Sequence, residues 1–312
     1  MLQITIRQLR YFDALVRHGH FGRAAEACAI SQPALSMQIK EMEDALGGVL
    51  LERSARKVAL TKLGEELAQR VRNILHAVDE LGDFARASQD RFSGRLRIGM
   101  IPTIAPYLLP AVIGNLTRLH PELELHVREA LTSKLIQELA EGRLDTAIVA
   151  LPVSEPSLTE VALFAENFLL VRPGENEGAP VPSSETLREM RLLLLEEGHC
   201  FRDQALSFCS MQSTLPREVL DASSLSTLVQ MVGAGMGVTL IPEMAVAVET
   251  RAASVSLARF SDPQPSRTIG MVWRKTSPLA GKLMQISEVV GRSAEALRAQ
   301  HGASNGARPP QT

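Results

Sequence analysis

Cysteine is scarce in this chain, three residues in 312, yet two of them stand nine apart in Gly198-His-Cys-Phe-Arg-Asp-Gln-Ala-Leu-Ser-Phe-Cys209. Cys200 stands at the start of an expected helix, and a helix N-terminus favours the thiolate, the nucleophilic form of the side chain. His199 and Arg202 bring positive charge that acts the same way, whereas Glu196, Glu197 and Asp203 oppose it, so the direction of any shift stays open. At about 100° per residue, nine steps put Cys200 and Cys209 on opposite faces of a helix, about 13.5 Å apart along its axis. A disulfide needs Cα atoms within about 7 Å, so joining the two requires the segment to lose its helix. Such a pair is either a redox switch or two small residues in a core helix, since free cysteine is often buried. A metal centre is the weaker reading: C-x8-C with one adjacent histidine lacks the paired spacing that surrounds zinc, and no metal or cofactor is expected.

The rest of the chain must position this segment. At 45% hydrophobic and 22% charged it has an ordinary globular composition, long enough for two or three domains. A net charge of −2 gives no global attraction to nucleic acid, so any DNA contact must come from a local surface. The first residues hold no apolar run of signal-peptide length and no later segment is long enough to span a membrane, which points to the cytoplasm. Thiols there are kept reduced, so a disulfide would be transient and regulatory.

Leu9, Phe12, Leu15 and Val16 fall at helical spacing, and His18-Gly19-His20 ends that helix. Phe21, Ala24, Ala25 and Cys28 form the inner face of a second, short helix, with Cys28 read as a packing residue. Ser31 offers an N-cap to a third helix, Pro33 suits its first turn, and Leu35, Ile39, Met42 and Leu46 form its core stripe. The opposite face carries Gln32, Pro33, Ser36, Met37 and Lys40. Gln can read adenine through two bonds and Ser can bond a base or phosphate, so the face suits a major groove. A merely solvated face is the other reading, and eight Lys/Arg against six Asp/Glu over residues 1–61 does not decide between them. Leu50 to Leu60 alternates around a basic tip and predicts a hairpin wing, with Arg53, Arg56 and Lys57 placed to contact phosphates.

From Thr61 to about Gln89 there is no proline, and Leu67, Val71, Ile74, Val78, Leu81 and Ala85 repeat at intervals of four and three. That seam predicts a long linker helix that pairs with a second copy or else packs on its own domain. Asp90 to Gly94 breaks it. Beyond, the runs 96–101, 123–130, 146–151, 168–172, 192–196, 238–241 and 269–274 read as strands separated by helical patterns. This predicts an α/β fold of mainly parallel sheet. Ligands in such sheets sit at strand ends against helix N-termini. Thr103 and Thr132 occupy such positions, and from their types alone the simpler reading is an N-cap.

The chain resembles the LysR-type transcriptional regulators. The resemblance rests on Phe21-Gly-Arg-Ala-Ala25, Ser31-Gln-Pro-Ala-Leu-Ser36, the Leu51-Glu-Arg53 of the wing and Leu60-Thr-Lys-Leu-Gly64. The cysteine segment is similar to the sensing segment of the peroxide-responsive members of that family. The resemblance implies a winged helix-turn-helix over 1–61, with the helix-turn-helix at about 21–40, and a linker and dimerisation helix over 62–91. It also implies a regulatory domain over 92–300 of the two-subdomain type shared with periplasmic binding proteins. Subdomain I would take about 92–164 and 268–300, subdomain II about 165–267, and 301–312 would form a disordered tail. Ile101-Pro-Thr-x-x-Pro-Tyr-Leu-Leu-Pro110, Glu129-Ala-x-Thr132 and Arg267-Thr-Ile-Gly270 match the family's peroxide-pocket segments. They imply a pocket of Thr103, Thr132, His199, Arg202, Asp203 and Arg267 around Cys200, with Cys209 as the resolving thiol. Promoter DNA, hydrogen peroxide, further copies of the chain as dimer and tetramer, RNA polymerase and a glutaredoxin-like reductant are the implied partners. Two readings compete with this one: a regulator whose pocket takes a metabolite, and a thiol peroxidase or binding protein with an accessory helical domain.

Overall fold

The computed structural model describes residues 4–53, 58–87, 94–183, 186–187, 190–208 and 221–305. The chain divides into two compact units, Met1–Ala85 and Arg86–Thr312, each with its own buried core.

In the first unit α1 (Ile6–His18), α2 (Phe21–Ala27) and α3 (Gln32–Leu46) pack around Phe12, Leu15, Leu35, Ile39 and Met42, all essentially inaccessible. The local signals are those the sequence carries. Thr5 and Gln8 make a capping box, Gly19 ends α1 at φ 59°, and the Ser31 hydroxyl accepts from the Ala34 amide at 3.4 Å. Strands β1 (Leu51–Arg53) and β2 (Val58–Leu60) pair antiparallel as the base of the wing. Its tip, with Arg56 and Lys57, lies outside the described residues.

α4 spans Lys62–Ala87 and departs from the expected single seam. Gly64, Ala68 and Val71 are buried and Leu67 and Leu75 pack against the winged-helix core, so Leu67 and Val71 of the expected stripe are used within their own unit. Ile74 and Leu81 remain 46% and 70% exposed. A straight helix drifts relative to a seven-residue repeat, so one helix can serve two apolar stripes, and the sequence pattern had merged them.

In the second unit β3 (Gly94–Met100) lies between β4 (Leu123–Glu129) and β5 (Thr146–Leu151), parallel to both, with α5 (Ala105–Leu119) and α6 (Thr132–Ala140) as crossovers. From there the expectation of a mainly parallel sheet fails. β5 pairs antiparallel with β11 (Ser266–Arg274), and β11 pairs antiparallel with β6, a single strand running Leu158–Pro173. The second half of β6 takes β9 (Thr239–Pro242) and β10 (Val255–Arg259) as antiparallel neighbours. Among the described residues these seven strands form one sheet. The sequence reading found only the Phe168–Arg172 part of β6. Its first half, with Glu160, Ala162, Ala165, Glu166 and Asn167, is poor in strand-favouring residues and is held by pairing with β11.

The shared strand divides the unit. Up to Asn167, β6 belongs with β3, β4, β5 and β11, and from Phe168 it belongs with β9 and β10. The chain crosses back at Ser266, which faces Asn167, and Arg267, which faces Glu166. β7 (Leu194–Leu195), shorter than the expected 192–196, pairs parallel with β8 (Asp221–Ala222) beside the helix Cys200–Phe208. The C-terminal helix runs Ala280–Asn305, so it takes in 301–305, the first residues of the expected disordered tail. The helix-favouring Ala296 to Gln300 run carries it on into them. The last residues, 306–312, are not among those described.

Candidate functional site

In the first unit the outward face of α3 is accessible: Gln32, Pro33, Ser36 and Lys40 are exposed and Met37 is 57% exposed, while Leu35, Ile39 and Met42 hold the helix from behind. The helix therefore presents its polar N-terminal half to solvent on a rigid base. Arg53 closes β1 opposite Val58, with its side chain outside the described set. One contact escaped the sequence reading. Buried Glu43 accepts from the Leu50 amide at 2.7 Å and from the Leu51 amide at 3.3 Å, fastening α3 to the first strand of the wing. An acidic residue inside an apolar stripe was the available signal.

In the second unit the cysteine segment is packed against Leu131, Phe168 and Arg267. Gly198, at φ 94°, adopts a backbone that only glycine takes without strain, and a Cβ there would come within 3.1 Å of Leu131 Cδ1. The turn before the helix Cys200–Phe208 is thereby pressed against the residue preceding Thr132. Cys200 is the first residue of that helix, a free thiol, half-buried against the core. Phe201, next to it, is buried between the Phe168 ring, edge-on at 4.9 Å, and the Arg267 guanidinium, 5.4 Å from its centroid.

Neither threonine is an N-cap. Ile104 and Leu131 occupy the cap positions of α5 and α6, without side-chain cap bonds. Thr103, 2% exposed, instead accepts Arg267 Nη1 on its hydroxyl at 2.8 Å and Arg267 Nη2 on its carbonyl at 3.1 Å. A hydroxyl that accepts in this way keeps its own proton to donate. Thr132 Oγ1 is buried and has no hydrogen-bond partner among the described residues. So has Gln204 Oε1, one turn beyond Cys200 on the same face of its helix, a residue that the sequence reading passed over. Buried polar atoms without partners are uncommon, and the one on Gln204, a turn beyond Cys200, marks a place for a small polar molecule.

The charges differ from those read off the sequence. His199 is buried, and desolvation pulls its imidazole below the ordinary value, with Glu196 pulling part of the way back. Near neutrality it is an uncharged ring, so it does not supply the positive charge expected of it. Arg202 turns its Nη1 to the Leu195 carbonyl at 2.7 Å and to Asp221 at 2.6 Å, which ties the sensing helix to β7 and β8. Asp203 is exposed in the first turn. Neither is joined to the Thr103–Arg267 pair. The buried cation here is Arg267, distant in sequence. Cys209 lies outside the described residues. Among those described, no group of three or more His, Cys, Asp or Glu is placed to hold a metal ion, and no helix is long and apolar enough to cross a membrane.

A winged helix-turn-helix, a long helix and a two-subdomain α/β domain of the periplasmic-binding-protein type, in that order, define a class of bacterial regulators. Residues 6–65 match the lysR family of bacterial regulatory helix-turn-helix proteins and residues 89–292 match the LysR substrate binding domain. The chain belongs to the LysR family. Within it the similarity runs to OxyR proteins. The chain is 44% identical over 303 residues to a probable hydrogen peroxide-inducible genes activator of Streptomyces viridosporus, covering 95% of each. It is 42% identical over 291 residues to the DNA-binding transcriptional dual regulator OxyR of Escherichia coli K12, covering 92% of this chain and 95% of that one. Among solved structures, a full-length OxyR variant of Pseudomonas aeruginosa superposes with a TM-score of 0.74 at 35% identity, covering 92% of this chain and 95% of the other. A hydrogen peroxide-bound OxyR mutant of Corynebacterium glutamicum superposes with a TM-score of 0.68 at 34% identity, covering 99% and 98%.

Proposed function

We propose that the protein is a DNA-binding transcriptional regulator of the oxidative-stress response that hydrogen peroxide activates by oxidising Cys200. The observation that carries this reading is the half-buried Cys200 thiol at a helix start, followed by Phe201 packed on the buried Arg267 guanidinium that holds Thr103, with an unpartnered Gln204 Oε1 one turn on. The Cys200 thiolate attacks one oxygen of the peroxide, the O–O bond breaks, and the departing hydroxide takes a proton to become water. Thr103 and Arg267 stabilise the charge on that leaving oxygen. Sulfur is oxidised by two electrons to a sulfenic acid. The Cys209 thiol then displaces its hydroxyl as water and forms the disulfide. A glutaredoxin-like dithiol returns the two electrons.

One peroxide is consumed for each disulfide formed, and the reading is that of a regulator and not of a peroxidase. It works in the cytoplasm as a dimer or tetramer on promoter DNA, with RNA polymerase as the downstream partner. Ser31, Gln32, Pro33, Ser36 and Lys40 face the groove and Arg53, Arg56 and Lys57 the phosphates. Footprints on the chain's own promoter test the reading. The reduced and peroxide-treated proteins are expected to protect different lengths of DNA, with Cys200→Ser locked in the reduced pattern. Identical footprints before and after peroxide, or a full response in Cys200→Ser, would refute it.

A further inference from the structure

Arg267 is an unusual group to find where the two subdomains meet. Its side chain is fully buried, and an unpaired buried charge is costly, so something must hold it. Glu166 does. The two face each other in the β6–β11 pairing, one rung before its end at Ser266 and Asn167, beside the point where β6 changes subdomain. Glu166 is 2% exposed, and its Oε2 accepts from Arg267 Nε at 2.9 Å and from Nη2 at 2.8 Å. Its other oxygen, Oε1, accepts from the Met244 amide at 2.9 Å, in the turn that follows β9.

A guanidinium carries five N–H donors in a fixed plane. Glu166 takes two of them and the hydroxyl and carbonyl of Thr103 take two more, which leaves one proton on Nη1. That nitrogen is the one bonded to the Thr103 hydroxyl, so the spare N–H and the spare O–H belong to neighbouring atoms. The plane of the guanidinium, and with it the direction of the spare proton, is set by the two bonds to a single carboxylate oxygen.

We infer that Glu166 is a positioning residue for the reaction of Cys200 with peroxide, acting by fixing the Arg267 guanidinium so that its one uncommitted N–H and the Thr103 hydroxyl meet the same leaving oxygen. The inference rests on the peroxide reading given above. Glutamine in place of Glu166 would keep an oxygen for Met244 but turn an NH2 group toward the arginine's own donors, so Arg267 must rotate. Aspartate keeps the charge and shortens the reach by one methylene.

The test compares two reagents on reduced full-length protein: hydrogen peroxide, whose leaving oxygen needs the donors, and iodoacetamide, which reports only on the thiolate. Mass spectrometry of the Cys200 peptide gives both rates. E166Q should slow peroxide oxidation at least about tenfold while alkylation stays within about twofold, because misplacing a reacting group by a fraction of an ångström costs that much. E166D should recover part of the loss. R267K should be slow in the same selective way, and adding E166Q to it should cost little more. A fast E166Q beside a slow R267K overturns the role of Glu166 and leaves the peroxide pocket standing. If R267K is also fast, the pocket reading falls and this inference with it. Equal slowing with both reagents makes Glu166 a general structural residue and refutes the proposal. Should E166Q fail to fold, E166D carries the test, with a smaller selective loss expected and an unchanged ratio of the two rates overturning the inference.

Discussion

Thr103 and His199, two residues of the proposed pocket, each make a separate prediction. Removing the Thr103 hydroxyl in Thr103→Val takes away the acceptor of Arg267 Nη1 and, on the proposed function, a donor for the leaving oxygen, while keeping the shape of the side chain. Peroxide oxidation of Cys200 should slow about a hundredfold, in the range typical of one lost donor, and the final disulfide should still form. Stopped-flow oxidation followed by peptide mapping checks both halves. Asp203→Ala, at an exposed position, should slow it far less. The buried His199 predicts a pH effect on stability. Its folded-state value lies below the ordinary 6.5. The unfolded chain therefore takes up the proton first as pH falls, and stability present above about pH 6.5 is lost toward the lower folded value. Melting temperatures between about pH 7 and pH 5.5 should fall more steeply for the natural protein than for His199→Gln; parallel slopes would show that another group is responsible. The types of these residues were legible in the sequence, and so was the place of Cys200 at a helix start. Their partners were not. Arg267 meets Thr103 across 164 residues and Glu166 across 101, by a strand crossing that no local pattern encodes.

At the scale of elements, the recognition helix and the wing should separate specificity from affinity. Gln32→Ala removes a group able to make two bonds to one base, worth about 1–3 kcal/mol of discrimination, so operator binding should weaken relative to random DNA. Arg53→Ala should weaken both together and flatten the salt dependence by about one charge. Fluorescence anisotropy over a salt series distinguishes them, and equal loss of specificity in both variants would mean that the two elements have been assigned wrongly. The long helix makes a further prediction. Glu at Ile74 and Leu81, the exposed positions of α4, should lower the mass found by light scattering in dilute solution, because burying each apolar side chain against a second copy contributes about 1.5–3 kcal/mol. An unchanged mass would place these residues outside any contact between copies. The helices of the first unit were readable almost residue by residue because caps and periodicity agree there. β6 was half missed, since its first ten residues form a strand through their neighbours and not through their own composition.

Over the whole molecule, the proposed function requires that oxidation of Cys200 reach the DNA-binding unit through a change of structure. Cys200 stands at the start of the helix described over Cys200–Phe208, with Phe201 locked between Phe168 and Arg267. Reaching Cys209 from Cys200 must break that helix, since a disulfide cannot span its length. Loss of the Phe201 anchor and of the Arg202 bonds to Leu195 and Asp221 would then release the contacts between this helix and β7 and β8. The most direct measurement is limited proteolysis between Gly198 and Gln212 with peptide mass mapping, before and after mild peroxide. We expect an intramolecular Cys200–Cys209 disulfide, a free Cys28, and new cleavage within the former helix. A Cys200 left unmodified by peroxide, or a Cys200–Cys209 bond formed with the cleavage pattern unchanged, would contradict the account.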